Sequence, residues 1–380
     1  MYLHTPSGHP TYPLGVPKSN LHGLANSGVS VWSDQISKAM LDSDELARRI
    51  EDDAVTGVTS NPTIFAGAIV GSDDYTDRLR DLKSAGTPTD EIVKSLMASD
   101  ITRACDELAD VHRSTQARDG YVSIEVSPTL ASDTEATVEE ARDWVKQISR
   151  PNLLVKVPAT PEGVPAIRRL IGEGISVNVT LIFSLKRYLE VIDAYLSGLE
   201  HFNEMGGDLS SVASVASFFV SRFDSEVDAR LDAVGSTDAK SLRGVTAVAN
   251  ARAAYGEFVN EFGSTRYGLL AGKGARPQKP LWASTSTKNP AYSDLLYVDS
   301  LVAPNTINTM PLETIEAYQD HGDSKPTQFT DFDIEHARKT LRRLGDVGVD
   351  YDDVVKTLED EGVDKFVTSW NELLAGVETV

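Results

Sequence analysis

The stretch NLLVKVPAT, residues 152–160, sets Lys156 inside an apolar, strand-like run of Leu153, Leu154, Val155 and Val157. Stripping water from an ammonium group is costly unless the group is paired or loses its proton. A lysine at a strand end escapes that cost by extending its stem to water. A half-buried one supports a narrow chemistry. Desolvation and a neighbouring cation lower its pKa, and the free amine attacks a carbonyl to form a Schiff base that serves as an electron sink. Breaking a carbon–carbon bond beside that iminium also requires a base for the departing hydroxyl proton. Asp34 and Glu125 are both available carboxylates.

Other polar residues occupy comparable places. Asp34 closes VSVWS, Asn61 follows GVTS, Glu125 sits within YVSIEV, Asn178 and Thr180 share one face of VNVTLIF, Ser217 lies in SVASFFV and Ser284 in KPLWAST. Each has an ordinary structural reading: Asp34 as N-cap of the helix beginning QISKAML, Asn61 before Pro62 as a turn or cap, Glu125 as a paired carboxylate, the serines as small fillers. Together they place a polar group on nearly every strand, the pattern of a barrel active site built at the C-terminal strand ends.

The elements that would position them alternate. Eight β-like runs, the seven around these residues (NLLVKV among them) and DSLVAP, are separated by helical patterns such as SDELARRIEDDA, EATVEEARDWVKQIS and SLKRYLEVIDAYLSGLEHFNEM. Count and alternation predict an α/β fold, a (β/α)8 TIM barrel with parallel strands. More than fifty residues between SFFVSRFD and KPLWAST leave room for extra helices there. DIEHARKTLRRLGDVG and DKFVTSWNELLAGV predict further helices at the C-terminus. The length of 380 residues fits one decorated barrel or two domains. No Pro/Gly linker precedes the last helices, which favours a single catalytic domain over residues 23–380 behind a loosely ordered extension over 1–22.

Composition narrows the function classes. Against 36 Lys and Arg stand 57 Asp and Glu, a formal charge of −21, which argues for a soluble protein and against nucleic acid or an anionic membrane as partner. Cations for an anionic substrate must then be local. The single cysteine, Cys105, excludes an internal disulfide, fits a reducing, cytoplasmic compartment and reads as a helical core residue. The N-terminal MYLHTPSGHPTYPLGVPKSN lacks the basic start and apolar centre of a signal peptide, and no apolar run approaches membrane-spanning length.

With these residues in place, the chain resembles the transaldolases. GVTSNPTIF (57–65) and LLVKVPATPEGVPAI (153–167) are similar to the two signature segments of that family, and VSVWSD, SIEVSP, VNVTLIFS, SFFVSRFD and LWASTSTKNP resemble its other active-site strands in order, from about Gly28 onward. Length and LWASTSTKNP point to the longer bacterial type. The resemblance implies a class I Schiff-base transferase of the pentose phosphate pathway. It would move a dihydroxyacetone unit from sedoheptulose 7-phosphate to glyceraldehyde 3-phosphate, giving erythrose 4-phosphate and fructose 6-phosphate, without cofactor or metal, as a monomer or homodimer. It implies Lys156 as the Schiff-base lysine, Asp34 as the acid/base in cleavage, and Glu125 with Thr180 holding a catalytic water beside Phe219. Asn61, Asn178 and Ser217 would bind the dihydroxyacetone part, and Arg222 and Ser284 the phosphate. Where the classical pattern carries an arginine two residues after that serine, this chain has Ser286, and the nearest cation is Lys288.

Weaker signals lead elsewhere. GLLAGKG (268–274) has the wrong Gly–Lys spacing for a phosphate loop and lacks the following Ser/Thr, so it reads as an ordinary loop. The seven histidines show no metal-ligand spacing, and the acidic run DVGVDYDDVVKTLEDEGVD lacks the ligand alternation of a calcium loop, reading instead as a solvated helical face with its connection. Two rivals stand beside transfer: a Schiff-base aldolase that releases free dihydroxyacetone, and a catalytically silent barrel, which would be expected to have lost Lys156, Asp34 or Glu125.

Overall fold

The computed structural model of the chain describes residues 19–323 and 329–379. Eight strands form a closed barrel in sequential order, all neighbours parallel: β1 (Val29–Ser33), β2 (Val55–Val58), β3 (Tyr121–Glu125), β4 (Leu153–Pro158), β5 (Val177–Ile182), β6 (Ser214–Phe219), β7 (Lys279–Ala283) and β8 (Thr306–Met310). Helices surround it, so nearly every strand is buried along its whole length. This is the (β/α)8 architecture, and the first seven strands fall where the apolar runs predict them.

The eighth strand does not. DSLVAP, residues 299–304, is the end of the helix Leu296–Ser300 followed by a turn, and β8 is the next segment, TINTM. Leu301, Val302 and Ala303 are apolar because that turn is packed under the barrel, each 1% exposed. In β8 the polar residues are buried and used: Thr306 Oγ1 donates to Ala303 O (2.6 Å) and Asn308 Oδ1 accepts from Thr285 Oγ1 (2.8 Å). A strand whose interior face is bonded through polar side chains shows no apolar alternation to detect.

Between β6 and β7 the chain forms four helices, Ser221–Val234, Thr237–Lys240, Thr246–Phe262 and Thr265–Ala271. The last takes in the first part of GLLAGKG, so Gly268–Ala271 are helical and only the remainder is a turn. Four more helices, Pro62–Val70, Thr76–Ser84, Thr89–Glu107 and Ala109–Ser114, separate β2 from β3. Cys105 lies buried in the third of these, and burial pushes its thiol up to about 12. Of the segment 1–22 expected to be loosely ordered, residues 1–18 lie outside the described residues. Asn20–Asn26 form a helix with Ser19 as N-cap, and Leu21 and His22 are buried.

Two helices close the chain, Asp331–Asp346 and Tyr351–Thr379. Val354, Leu358, Gly362, Phe366, Trp370, Leu373 and Val377 are buried, a stripe spaced by three and four residues that turns one face of the last helix inward. Gly362 lets the helix pack closely against β5. A Cβ there would stand 3.1 Å from Leu181 Cδ2 and 3.6 Å from Phe183. The helix thereby lies against the C-terminal end of β5, and Ser369 bonds Thr63 on Pro62–Val70 (2.8 Å). Among the described residues no helix is long and apolar enough to cross a membrane.

Candidate active site

Parallel register brings the chemistry-bearing residues to one level. Glu125 on β3 pairs with Lys156 on β4, which pairs with Asn178 on β5. Their side chains meet inside the barrel below a cavity of about 670 Å3 at the C-terminal strand ends. Lys156 is 4% exposed. Its Nζ donates to Ser60 O (3.1 Å) and stands 3.3 Å from Glu125 Oε2, an ion pair without hydrogen-bond alignment. Burial pushes the Glu125 carboxyl above its usual range, against the pull of Lys156 and Arg222. Thr180, two residues along β5 from Asn178, is fully buried, and its Oγ1 has no hydrogen-bond partner among the described residues. Glu125 Oε2 and Thr180 Oγ1 are thus two buried polar atoms with bonding capacity left over.

Asp34 follows β1 and is half-buried at the cavity wall. Its Oδ1 accepts from Thr59 Oγ1 (2.8 Å), and Thr59 in turn bonds Thr309 Oγ1 on β8 (2.7 Å). Burial raises its pKa, opposed by Lys156, the Thr59 hydrogen bond and Arg222. Two carboxylates of elevated proton affinity therefore flank one lysine from different strands.

Asn61 does two things. Its Oδ1 accepts from Ile64 N (3.0 Å) and caps Pro62–Val70, while the residue also lines the cavity. Asn178 is more enclosed than its expected binding role suggests. Its Nδ2 donates to Ser123 Oγ (3.0 Å) and its Oδ1 accepts from Ser217 Oγ (2.7 Å), so both ends of the amide are engaged beneath the floor. Ser217 and Phe219 reach the cavity wall. Ser284, held at φ 57° just past β7, lines the cavity and bonds Ser221 Oγ (2.9 Å). A non-glycine residue in that conformation is strained, and such strain gathers at functional sites.

Arg222 is the second residue of the helix after β6. Its guanidinium lies 5.0 Å from the Phe219 ring centroid and 5.7 Å from that of Phe366, and burial depresses its pKa while Asp34 and Glu125 raise it. Lys288 lines the rim and donates to Ser286 Oγ (2.7 Å). Lys365, on the last helix, faces the same space, its pKa lowered by Arg222, then by desolvation and Lys288. Three cations thus gather at the mouth of a chain of charge −21, with Glu226, Glu313 and Glu361 also on the lining.

The structure brings together Asp34, Asn61, Lys156, Ser217, Phe219, Arg222, Ser284 and Lys288 around one cavity, with Glu125 touching Lys156 and Asn178 touching Ser217. Sequence reasoning missed Thr59 and Thr309, and the contribution of the last helix: Leu358, Glu361, Lys365 and Phe366. Thr309 was hidden by the misplaced eighth strand. The last helix was predicted as a helix, but no local pattern says that it crosses the barrel mouth. Among the described residues no group of His, Cys, Asp and Glu could hold a metal ion.

A family model described as transaldolase/fructose-6-phosphate aldolase matches residues 31–377. Curated relatives named transaldolase are similar over nearly full length. That of Acidothermus cellulolyticus is 53% identical over 354 residues, covering 93% of this chain and 95% of the relative. That of Thermobifida fusca is 53% identical over 357 residues, 94% and 96% of the two chains. That of Frankia alni is 51% identical over 357 residues, again 94% and 96%.

Proposed function

The chain belongs to the transaldolase/fructose-6-phosphate aldolase family and is a transferase of the transaldolase kind, and from that premise we propose that Lys156 carries the transferred unit as a Schiff base. The observation that carries this reading is a 4%-exposed lysine at the floor of the barrel mouth, 3.3 Å from a carboxylate. In the proposed reaction Glu125 accepts the proton that Lys156 must shed before its nitrogen attacks the ketone carbon of a ketose phosphate. Loss of water from the resulting carbinolamine gives the iminium. The unused bonding capacity of Glu125 Oε2 and Thr180 Oγ1 supports a shared water as shuttle for those protons.

Asp34 then removes the proton from the hydroxyl two carbons beyond the iminium carbon. The bond between that hydroxyl-bearing carbon and the carbon next to the iminium breaks, its electrons flow toward the iminium to form an enamine, and an aldose phosphate leaves as its hydroxyl becomes the new carbonyl. The enamine attacks the carbonyl of an acceptor aldehyde, Asp34 returns the proton, and hydrolysis frees Lys156. Burial of Asp34 supports this role, because a base that must later act as an acid works best with proton affinity above that of a solvated aspartate. The donor is sedoheptulose 7-phosphate and the acceptor glyceraldehyde 3-phosphate, as in the pentose phosphate pathway. Arg222 reads the phosphate with help from Ser284, Lys288 and Lys365, the last two standing in for the arginine that Ser286 replaces. Asn61 and Ser217 orient the dihydroxyacetone portion, and Asn178 holds Ser217 in place.

Borohydride trapping with fructose 6-phosphate, followed by peptide mass measurement, tests the core of this reading: a reduced adduct on Lys156 is expected, and one on another lysine refutes it. Asp34→Asn should still be trapped, now as a whole-substrate adduct, with turnover slower by about 10²–10⁴-fold. Lys156→Arg should form none. Because the family description covers both transfer and simple aldol cleavage, fructose 6-phosphate turnover should depend on added erythrose 4-phosphate. Turnover unaffected by the acceptor assigns the chain to the aldolase side.

A further inference from the structure

At the opposite, N-terminal end of the barrel lies a second cavity of about 740 Å3 that the proposed reaction does not use. Its floor is the barrel interior: the Trp32 and Tyr121 side chains, 0% and 4% exposed, with Lys279 at the start of β7. Arg276 and Arg118 stand around it, and Asp119 is the one carboxylate among its lining residues.

The cations are held in place by groups that leave their charge intact. Lys279 Nζ donates to Arg118 O (3.0 Å), and Arg276 Nη1 donates to Ala117 O (2.7 Å), which also accepts from Tyr121 Oη (2.7 Å). That carbonyl is aimed by two consecutive non-glycine residues in the left-handed region, Gln116 at φ 55° and Ala117 at φ 56°, a costly arrangement. Arg118 reaches Gln116 Oε1 (3.3 Å). None of the three forms an ion pair among the described residues, although acidic residues far outnumber basic ones in the chain. Asp119 is turned to other work, its Oδ1 accepting from Trp32 Nε1 (2.9 Å) and Gly120 N (3.0 Å). Three cations against one carboxylate leave a net local charge of two. Lys279 feels it, its pKa lowered by burial and by Arg118 and Arg276.

We propose that this lower cavity binds a small organic phosphate, a doubly charged head group on an apolar body, with the phosphate on Arg276 and Lys279 and the body against Pro277 and Pro304. A phosphate dianion matches the uncompensated charge, and the guanidinium keeps N–H groups beyond Nη1 for a two-point contact.

The test uses 1-naphthyl phosphate as probe, titrated by calorimetry into the full chain carrying Arg222→Ala, so that the upper phosphate contact is removed. Saturable binding is expected, weakened about tenfold by adding either Lys279→Met or Arg276→Leu, the loss expected for one charge-assisted contact. Arg118 is exposed, so Arg118→Glu keeps the fold, and it should also weaken the probe. That result decides the matter if a buried replacement unfolds the chain. Uncharged 1-naphthol should bind at least about tenfold more weakly than the phosphate. The proposal is overturned if binding vanishes with Arg222→Ala alone, if Arg118→Glu leaves it unchanged, or if 1-naphthol binds as well.

Discussion

Arg222→Ala should cost far more on phosphorylated than on unphosphorylated donors, and the structure sets how much. The guanidinium is half-buried between the Phe219 and Phe366 rings and holds no ion pair or hydrogen bond among the described residues. Its N–H groups are therefore free for substrate, in a site where water screens them poorly. A hydrogen bond to a charged group in that setting contributes about 1.5–3 kcal/mol, or roughly 10–150-fold in rate constant. Lys288 and Lys365 are exposed at the rim. Each should contribute about 0.2–1 kcal/mol, at most about fivefold, and that part should fade with salt. The assay is kcat/KM for the donor, which in a covalent two-step transfer reports the first half-reaction alone. Fructose 6-phosphate compared with fructose isolates the phosphate. The expected order of loss is Arg222→Ala well above Lys365→Ala and Lys288→Ala, with only the lysine effects shrinking between about 0.05 and 0.5 M NaCl. Equal losses on both sugars, or a Lys365→Ala defect larger than that of Arg222→Ala, would remove the basis for assigning the phosphate to Arg222.

Other consequences are independent of the phosphate. Glu125→Gln removes the carboxylate beside the buried Lys156 nitrogen, so single-turnover imine formation should slow by about 10²–10⁴-fold; trapping at the wild-type rate contradicts the assignment of Glu125 as proton acceptor. Thr180→Val keeps the shape and deletes an unpaired hydroxyl, so the same trapping rate should fall while stability holds or rises; an unaffected rate excludes Thr180 from the shuttle. Gly57→Ala would set a Cβ 2.4 Å from Trp32 Cε2, against a ring pinned through Nε1 to Asp119, and should destabilise the barrel by about 1–3 kcal/mol; an unchanged melting temperature would show that the indole can yield. Burial pushes Asp224 up to about 6, opposed by hydrogen bonds from Ala247 N, Thr246 and Tyr297. Its folded pKa lies above the unfolded 3.8, so its favourable contribution is full below about pH 4 and is lost as pH rises through 6. Denaturant titrations should therefore show the wild type losing roughly 2–4 kcal/mol relative to Asp224→Asn between about pH 4 and 7, and parallel curves would contradict this.

What the sequence revealed and what it hid follow from one physical difference. β1 to β7 could be found because each is buried on both faces and mostly apolar, so a lysine or glutamate inside such a run stands out. Lys156 and Glu125 are conspicuous because their neighbours exclude water, the same condition on which their proposed roles depend. β8 inverts the signal. Its burial is complete, but Thr306, Asn308 and Thr309 are bonded to other polar groups, so TINTM resembles a loop while the packed turn before it resembles a strand. That one displacement concealed Thr309, through which Asp34, the proposed base, is tied by Thr59 to the far side of the barrel seam between β8 and β1.

The last helix was hidden differently. Its apolar stripe at three- and four-residue spacing declares one buried face, but nothing local states what that face covers. Only in the fold does Gly362 meet Leu181 at the end of β5, and that contact sets Phe366 5.9 Å from Lys156 Nζ and 5.7 Å from the Arg222 guanidinium. One ring thereby faces both the proposed nucleophile and the proposed phosphate reader, and Lys365, its neighbour in sequence, adds a cation on the same side. The helix closes one flank of the mouth with an apolar wall, and a wall that excludes water strengthens every charge it encloses. The same chain that is acidic overall can therefore hold an anion here: distance and desolvation, rather than net charge, decide which ion the cavity accepts.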